Sequence, residues 1–158
     1  MGDKLSIGSK APDFLLRDQD GNGVHFTDRI GKNVIVLYFY PKDFTGGCTM
    51  EACAFRDSYE DFKDAGAEVI GVSSDSAETH NAFAEKHQLP FTLLSDPGSK
   101  VAEAYGLNKA LGLFPARTTF VIDREGVIRH IFESRTNMGA HIEEARKIVQ
   151  SLERESVK

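Results

Sequence analysis

The chain holds two cysteines, Cys48 and Cys53, and these are the side chains best suited to covalent chemistry. A thiol acts as a nucleophile only as its thiolate, a form favoured by a helix N-terminus or a nearby cation. From Thr45 to Asp64 the residues Cys48, Ala52, Phe55, Tyr59 and Phe62 recur at spacings of four, three, four and three, which predicts a helix with one apolar face. Cys48 then lies in the first turn, where unpaired N–H groups and the positive end of the helix dipole favour an anion. The competing reading is an unreactive cysteine on an apolar stripe, because free cysteine is among the most buried residue types. Helical geometry turns Cys53 about 140° away from Cys48, off the stripe and toward solvent, where it is either a partner or an incidental surface cysteine. Their Cα atoms stand about 8.6 Å apart in an unbroken helix, beyond the roughly 7 Å that a disulfide spans. Pairing would require the helix to open. The Cys-x-x-x-x-Cys spacing is neither the Cys-x-x-Cys of a dithiol oxidoreductase nor a zinc-binding pattern.

The surrounding sequence supplies elements that could position this helix. Val34 to Tyr40 is a continuous apolar run ended by Pro41, as expected of a central strand covered on both faces. Before it, Asp13 to Arg17 and Val24 to Phe26 flank the turn signal Asp20-Gly-Asn-Gly23 and read as a hairpin. After the cysteine helix come a strand at Glu68 to Ser73, a helix from Ser76 to His87 with Ser76 as N-cap, and a strand at Phe91 to Leu94. A short helix at Ser99 to Tyr105, strands at Thr118 to Ile122 and Val127 to Phe132, and a final helix at His141 to Leu152 complete the pattern. The expected fold is α/β, three layers thick, with a mixed sheet and an N-terminal β-hairpin in a single domain over 1–158. In open α/β sheets chemistry sits at the carboxyl ends of strands, which is where Pro41 to Cys48 lies.

Bulk properties exclude several function classes. A net charge of −5 with no basic cluster argues against nucleic acid or an anionic membrane as partner, and eleven phenylalanines argue against disorder. The longest apolar run, seven residues, is far short of a bilayer span. Two cysteines are too few for a secreted disulfide framework, and no leader sequence is expected from the opening Met1-Gly-Asp-Lys4. His80 and His87 share a helical face, but without a third ligand at motif spacing they read as solvated histidines, and no metal is expected. Asp57, Glu60, Asp61 and Asp64 read as the wet face of the first helix. Phe44, Leu111, Leu113 and Phe114 read as core, or as an apolar rim to the site.

One stretch carries a specific resemblance. Pro41-Lys-Asp-Phe-Thr45-Gly-Gly-Cys48 resembles the peroxiredoxin pattern Pro-x-x-x-Thr-x-x-Cys, and Gly47 to Asp57 resembles its Q-type branch, also called bacterioferritin-comigratory-protein-like. Ala67 to Ser73, Leu89 to Asp96 and Pro115-Ala-Arg117-Thr-Thr-Phe-Val-Ile-Asp123 resemble the same branch in order and spacing, so the likeness runs from about Ile7 to Leu152. It implies a thioredoxin-like fold and a cofactor-free thiol peroxidase for hydrogen peroxide and organic hydroperoxides. Cys48 would attack the peroxide and become a sulfenic acid. Cys53 would condense with it to a disulfide, which thioredoxin or a similar dithiol reduces.

The resemblance also implies roles for the neighbours. Thr45 would offer its hydroxyl to the thiolate and peroxide, Arg117 a fixed positive charge, Pro41 would limit water access, and Glu51 would orient Arg117. A monomer in the cytoplasm, or in a plastid after removal of a presequence, fits the branch. Gly46 stands where the branch often has proline and Phe44 where a polar residue is common, which leaves the loop looser. Two other readings of the cysteines are a general disulfide oxidoreductase, disfavoured by the missing Cys-x-x-Cys, and a non-enzymatic redox sensor.

Overall fold

The computed structural model describes residues 5–44, 46–107, 117–134 and 137–157. In chain order the strands are β1 (Leu15–Asp18), β2 (Gly23–His25), β3 (Val34–Phe39), β4 (Ala67–Ser73), β5 (Thr92–Ser95), β6 (Thr118–Ile122) and β7 (Ile128–Glu133). The helices are α1 (Gly46–Asp57), α2 (Tyr59–Asp64), α3 (Ala77–His87), α4 (Lys100–Ala104) and α5 (Met138–Val157). One sheet runs β2-β1-β5-β4-β3-β6-β7. Its direction is mixed: β3 is parallel to β4 and β4 to β5, while β1 pairs antiparallel with β2 and β5, and β6 with β3 and β7. The expected hairpin is present, with Leu16 opposite Val24.

All six residues of β3 are buried, as its unbroken apolar sequence required. Its side chains alternate between two cores. Val34, Val36 and Tyr38 pack with Cys48, Ala52, Phe55 and Phe62 from α1 and α2, Phe83 from α3 and Val149 from α5. Ile35, Leu37 and Phe39 pack on the other face with Phe14, Phe26 and Tyr105. Helices on both faces make the three expected layers. The sheet positions the site through one detail of register: β6 runs antiparallel to β3 with Thr118 opposite Phe39. The residue before β6 therefore meets the loop after β3.

Two readings of the sequence change here, and one set of residues is left untested. The single helix expected from Thr45 to Asp64 is two helices, because Ser58 leaves helical geometry at φ −102° and ψ 5°. Serine has low helix propensity, and Phe55 and Phe62 keep the apolar stripe buried across the break. His80, expected to be solvated, is fully buried, because the end of α3's first turn packs over the loop after β3. Leu111, Leu113, Phe114 and Thr45 lie outside the described residues. Other readings agree with the structure: the Ser76 side chain accepts a bond from the Thr79 N–H at 3.2 Å, and Asp57, Glu60, Asp61 and Asp64 are exposed.

Gly71 lies opposite Tyr38 in the β3–β4 ladder, and the Tyr38 ring occupies the space above it. A Cβ there would stand 2.8 Å from Tyr38 Cζ and 2.9 Å from Leu93 Cδ2. Gly71→Ala should therefore destabilise the protein by about 1–3 kcal/mol through overpacking. Urea unfolding of the reduced protein checks this, and an unchanged midpoint would contradict it.

Candidate active site

Cys48 is the third residue of α1, and its side chain is buried, 1% exposed, on the face turned toward β3. The backbone N–H groups of a helix's first turn have no intrahelical acceptor, so the thiol lies where the chain concentrates partial positive charge. The chain reaches α1 from the carboxyl end of β3 through Pro41, which is half-buried, and Phe44, whose φ of 64° is unusual for a residue with a Cβ. Phe44 is exposed itself, yet its ring meets Phe83 edge-on at 5.1 Å and lies 5.9 Å from Lys86 Nζ, which ties the loop to α3.

Asp43 fixes the loop from below. Its carboxylate accepts from the Tyr40 hydroxyl at 2.6 Å and meets His80 Nδ1 at 2.5 Å, while its backbone N–H donates to Asp75 at 2.7 Å. His80 Nε2 donates to the Leu94 carbonyl at 2.9 Å, so this buried imidazole has an acceptor at one end and a carboxyl at the other. Ser73 Oγ closes the network on Asp75 at 2.6 Å. The ligand-type atoms of Asp43, Asp75 and His80 lie within 4.8 Å of one another, the spacing of a metal site. They are instead committed to these hydrogen bonds, and satisfied buried polar networks of this kind specify loop position.

Arg117 arrives from the opposite side, immediately before β6. It is 6% exposed, and a single nitrogen, Nη1, donates to Cys48 Sγ at 3.3 Å and to Glu51 Oε1 at 2.8 Å. Glu51 lies one helical turn after Cys48 and is completely buried. Burial pushes its carboxyl up to about 7, and the Arg117 charge and hydrogen bond only partly counter that rise. Burial acts to lower the guanidinium value, but Glu51 and Cys48 raise it above its ordinary range, so Arg117 keeps its charge. The pairing of Cys48, Glu51 and Arg117 named by the sequence is thus a physical contact. Cys53 stands apart: five residues along the same helix, it is half-buried, and both thiols are free.

One residue near this cluster carried no signal in the sequence reading. His141, fully buried on α5, places Nδ1 2.8 Å from Thr119 Oγ1 and 3.6 Å from Glu51 Oε2, and its Nε2 donates to the Ser134 carbonyl at 2.8 Å. A histidine heading the buried stripe Ala145, Val149 and Leu152 was the available clue. A cleft of about 790 Å³ bordered by Leu15, Arg17, Ser76 and Ser95 lies beside the hairpin, and none of Cys48, Glu51 and Arg117 lines it.

The chain as a whole is similar to several known proteins. The profile of the AhpC/TSA family matches residues 7–131. The chloroplastic peroxiredoxin Q of Triticum aestivum is 53% identical over 150 residues, which cover 94% of this chain and 69% of that protein. The crystal structure of peroxidoxin BcpB from Mycobacterium tuberculosis superposes with a TM-score of 0.87 at 34% identity, over 92% of this chain and 96% of that one. A Xanthomonas campestris bacterioferritin comigratory protein with alkyl peroxide reduction activity gives 0.82 at 27% identity, over 89% and 92%.

The position of Glu51 has a measurable consequence for folding. A carboxyl raised from 4.5 to about 7 on folding contributes stability that is complete below pH 4.5 and is lost as pH rises through 7. The stability difference between the wild type and Glu51→Gln should therefore shift against the wild type by about 3 kcal/mol across that window. Denaturant melts at several pH values check this, and a difference independent of pH would contradict it.

Proposed function

The chain belongs to the AhpC/TSA family and is a thiol peroxidase of the peroxiredoxin Q kind, and from that premise we propose how its side chains divide the reaction. Cys48 is the attacking thiol. Its thiolate takes the terminal oxygen of a hydroperoxide, the O–O bond breaks, and the alkoxide or hydroxide that leaves takes up a proton. Cys48 is thereby oxidised to a sulfenic acid. The Cys53 thiol then displaces water from that sulfenic acid to give the disulfide, and thioredoxin or a similar dithiol returns both thiols by exchange.

The observation that carries this reading is the hydrogen bond from Arg117 Nη1 to Cys48 Sγ in a buried helix start. A cation fixed there stabilises the thiolate and the charge developing on the departing oxygen, and a low-dielectric site strengthens both effects. Thr45 supplies a hydroxyl to the same centre, Pro41 restricts water, and Glu51 holds Arg117 in place. Hydrogen peroxide and small organic hydroperoxides are the substrates, a reading supported by the alkyl peroxide reduction of the Xanthomonas campestris relative. The chain works as a monomer, and the relatives named chloroplastic support a plastid compartment.

Cys48→Ser should lose peroxidase turnover, while Cys53→Ser should react once with peroxide and then accumulate sulfenic and higher acids. Single-turnover kinetics with mass analysis checks both, and wild-type oxidation of Cys48→Ser would contradict the division of labour. Arg117→Ala should slow oxidation of Cys48 by about two to three orders of magnitude, the usual cost of losing a preorganised donor. Stopped-flow rates equal to wild type would remove Arg117 from the chemistry.

A further inference from the structure

Arg117 Nη1 has two acceptors, Cys48 Sγ and Glu51 Oε1, and one positive charge to divide between them. Two anions there would leave a net negative charge in a buried site, a costly arrangement. The other oxygen of Glu51, Oε2, is buried and has no hydrogen-bond partner among the described residues. It faces His141 Nδ1 at 3.6 Å. Because His141 Nε2 must donate to the Ser134 carbonyl, Nδ1 of the neutral ring is a lone pair, satisfied by the Thr119 hydroxyl at 2.8 Å. A carboxylate oxygen facing a lone pair is unfavourable, and one proton between them removes the conflict.

We propose that Glu51 and His141 form a one-proton pair that takes up the Cys48 thiol proton, so that the thiolate rather than Glu51 claims the Arg117 charge. His141 is the positioning residue of the pair. The site stays neutral throughout: Arg117 cation with Glu51 carboxylate and Cys48 thiol on one side, Arg117 cation with Cys48 thiolate and the protonated pair on the other. When the thiolate attacks a hydroperoxide, Cys48 loses two electrons to the O–O bond. The departing alkoxide needs one proton, and the pair gives up the one it gained, leaving Glu51 ionised on Arg117 again.

The surroundings are consistent with this assignment. Around Glu51 stand Cys48 on its own helix, Arg117 before β6, His141 on α5, and the Tyr38 hydroxyl on β3, which has no partner among the described residues. Burial and the Arg117 charge keep His141 low, with only the Ser134 carbonyl opposing, so the carboxyl is the member that holds the proton. Burial also holds Glu51 near neutrality, where exchange with a thiol is thermally accessible.

This inference rests on Cys48 being the attacking thiol, and the test separates the two. The pH profile of single-turnover Cys48 oxidation is measured in wild type, His141→Asn, Glu51→Gln and the double variant. Asparagine can donate to Glu51 Oε2 and keep it ionised, so His141→Asn should move the profile to higher pH by about one unit, roughly a tenfold slower reaction on the acid side. In the Glu51→Gln background the same substitution should move nothing. An unshifted profile in His141→Asn, or a shift of equal size in the double variant, overturns the proposal. Should His141→Asn not fold, carbon-13 NMR of the Glu51 carboxyl serves instead: its titration should fall by about one unit in reduced Cys48→Ser, where no thiolate competes for Arg117. An identical titration in wild type and Cys48→Ser overturns the proposal. Peroxide oxidation surviving in Cys48→Ser would overturn the assignment of Cys48 itself, a separate result.

Discussion

A single guanidinium nitrogen joins the two halves of this site. Arg117 Nη1 reaches Cys48 Sγ and Glu51 Oε1 at once only because both acceptors lie on one face of a wound α1, one turn apart. The antiparallel register of β3 with β6 delivers the arginine to the carboxyl end of β3, and the loop beyond Phe39 delivers the helix to the same place. Both cores contribute to this arrangement. Tyr38, stacked on Phe55 at 4.6 Å, holds α1 against the sheet, while Phe39 and Phe120 hold the two strands together from the other face. The charge chemistry depends on that packing, because the same contact in water would be screened to little effect.

The proposed cycle sets this contact against a second requirement. Cys48 can sit under Arg117 only in a wound helix, whereas it can reach Cys53 only in an unwound one, since an intact helix holds their Cα atoms about 8.6 Å apart. The loop is built unevenly in a way that suits both states. Upstream, Asp43 is tied to Tyr40 and His80 by buried hydrogen bonds and to Asp75 by a partly buried one. Immediately downstream come Phe44 at positive φ, then Gly46 and Gly47. Unwinding would then begin after the anchored residues, where backbone freedom is greatest and helix ends fray at low cost. Cys53 is half-buried rather than enclosed, so exposure to a reductant asks for little further movement.

Much of the architecture was legible because it follows from local patterning. The apolar run at β3, the four-three repeat of α1 and the Ser76 cap each express a physical requirement within a few residues of sequence. The site was legible only in part. Cys48 announced itself by its place at a helix start, but 69 residues separate it from Arg117, and spacing alone says nothing about a contact made across a sheet. Only the resemblance of Pro115-Ala-Arg117-Thr-Thr to a known motif joined them. His80 was misjudged for the same reason: a shared helical face with His87 does not reveal a carboxylate 37 residues away. His141 went unnoticed because a histidine among apolar residues resembles ordinary core until its neighbours on β6 and α1 are known.

In the proposed cycle Cys48 alternates between a wound α1, where Arg117 holds it, and an unwound one, where Cys53 does. Amide hydrogen exchange on the fully reduced protein and on the peroxide-treated protein, with the disulfide verified by mass, tests this most directly. Exchange should be slow from Cys48 to about Phe55 in the reduced form and much faster across the same amides in the oxidised form, with β3 equally protected in both. Equal protection of that segment in the two forms, with the Cys48 to Cys53 bond present, would contradict it.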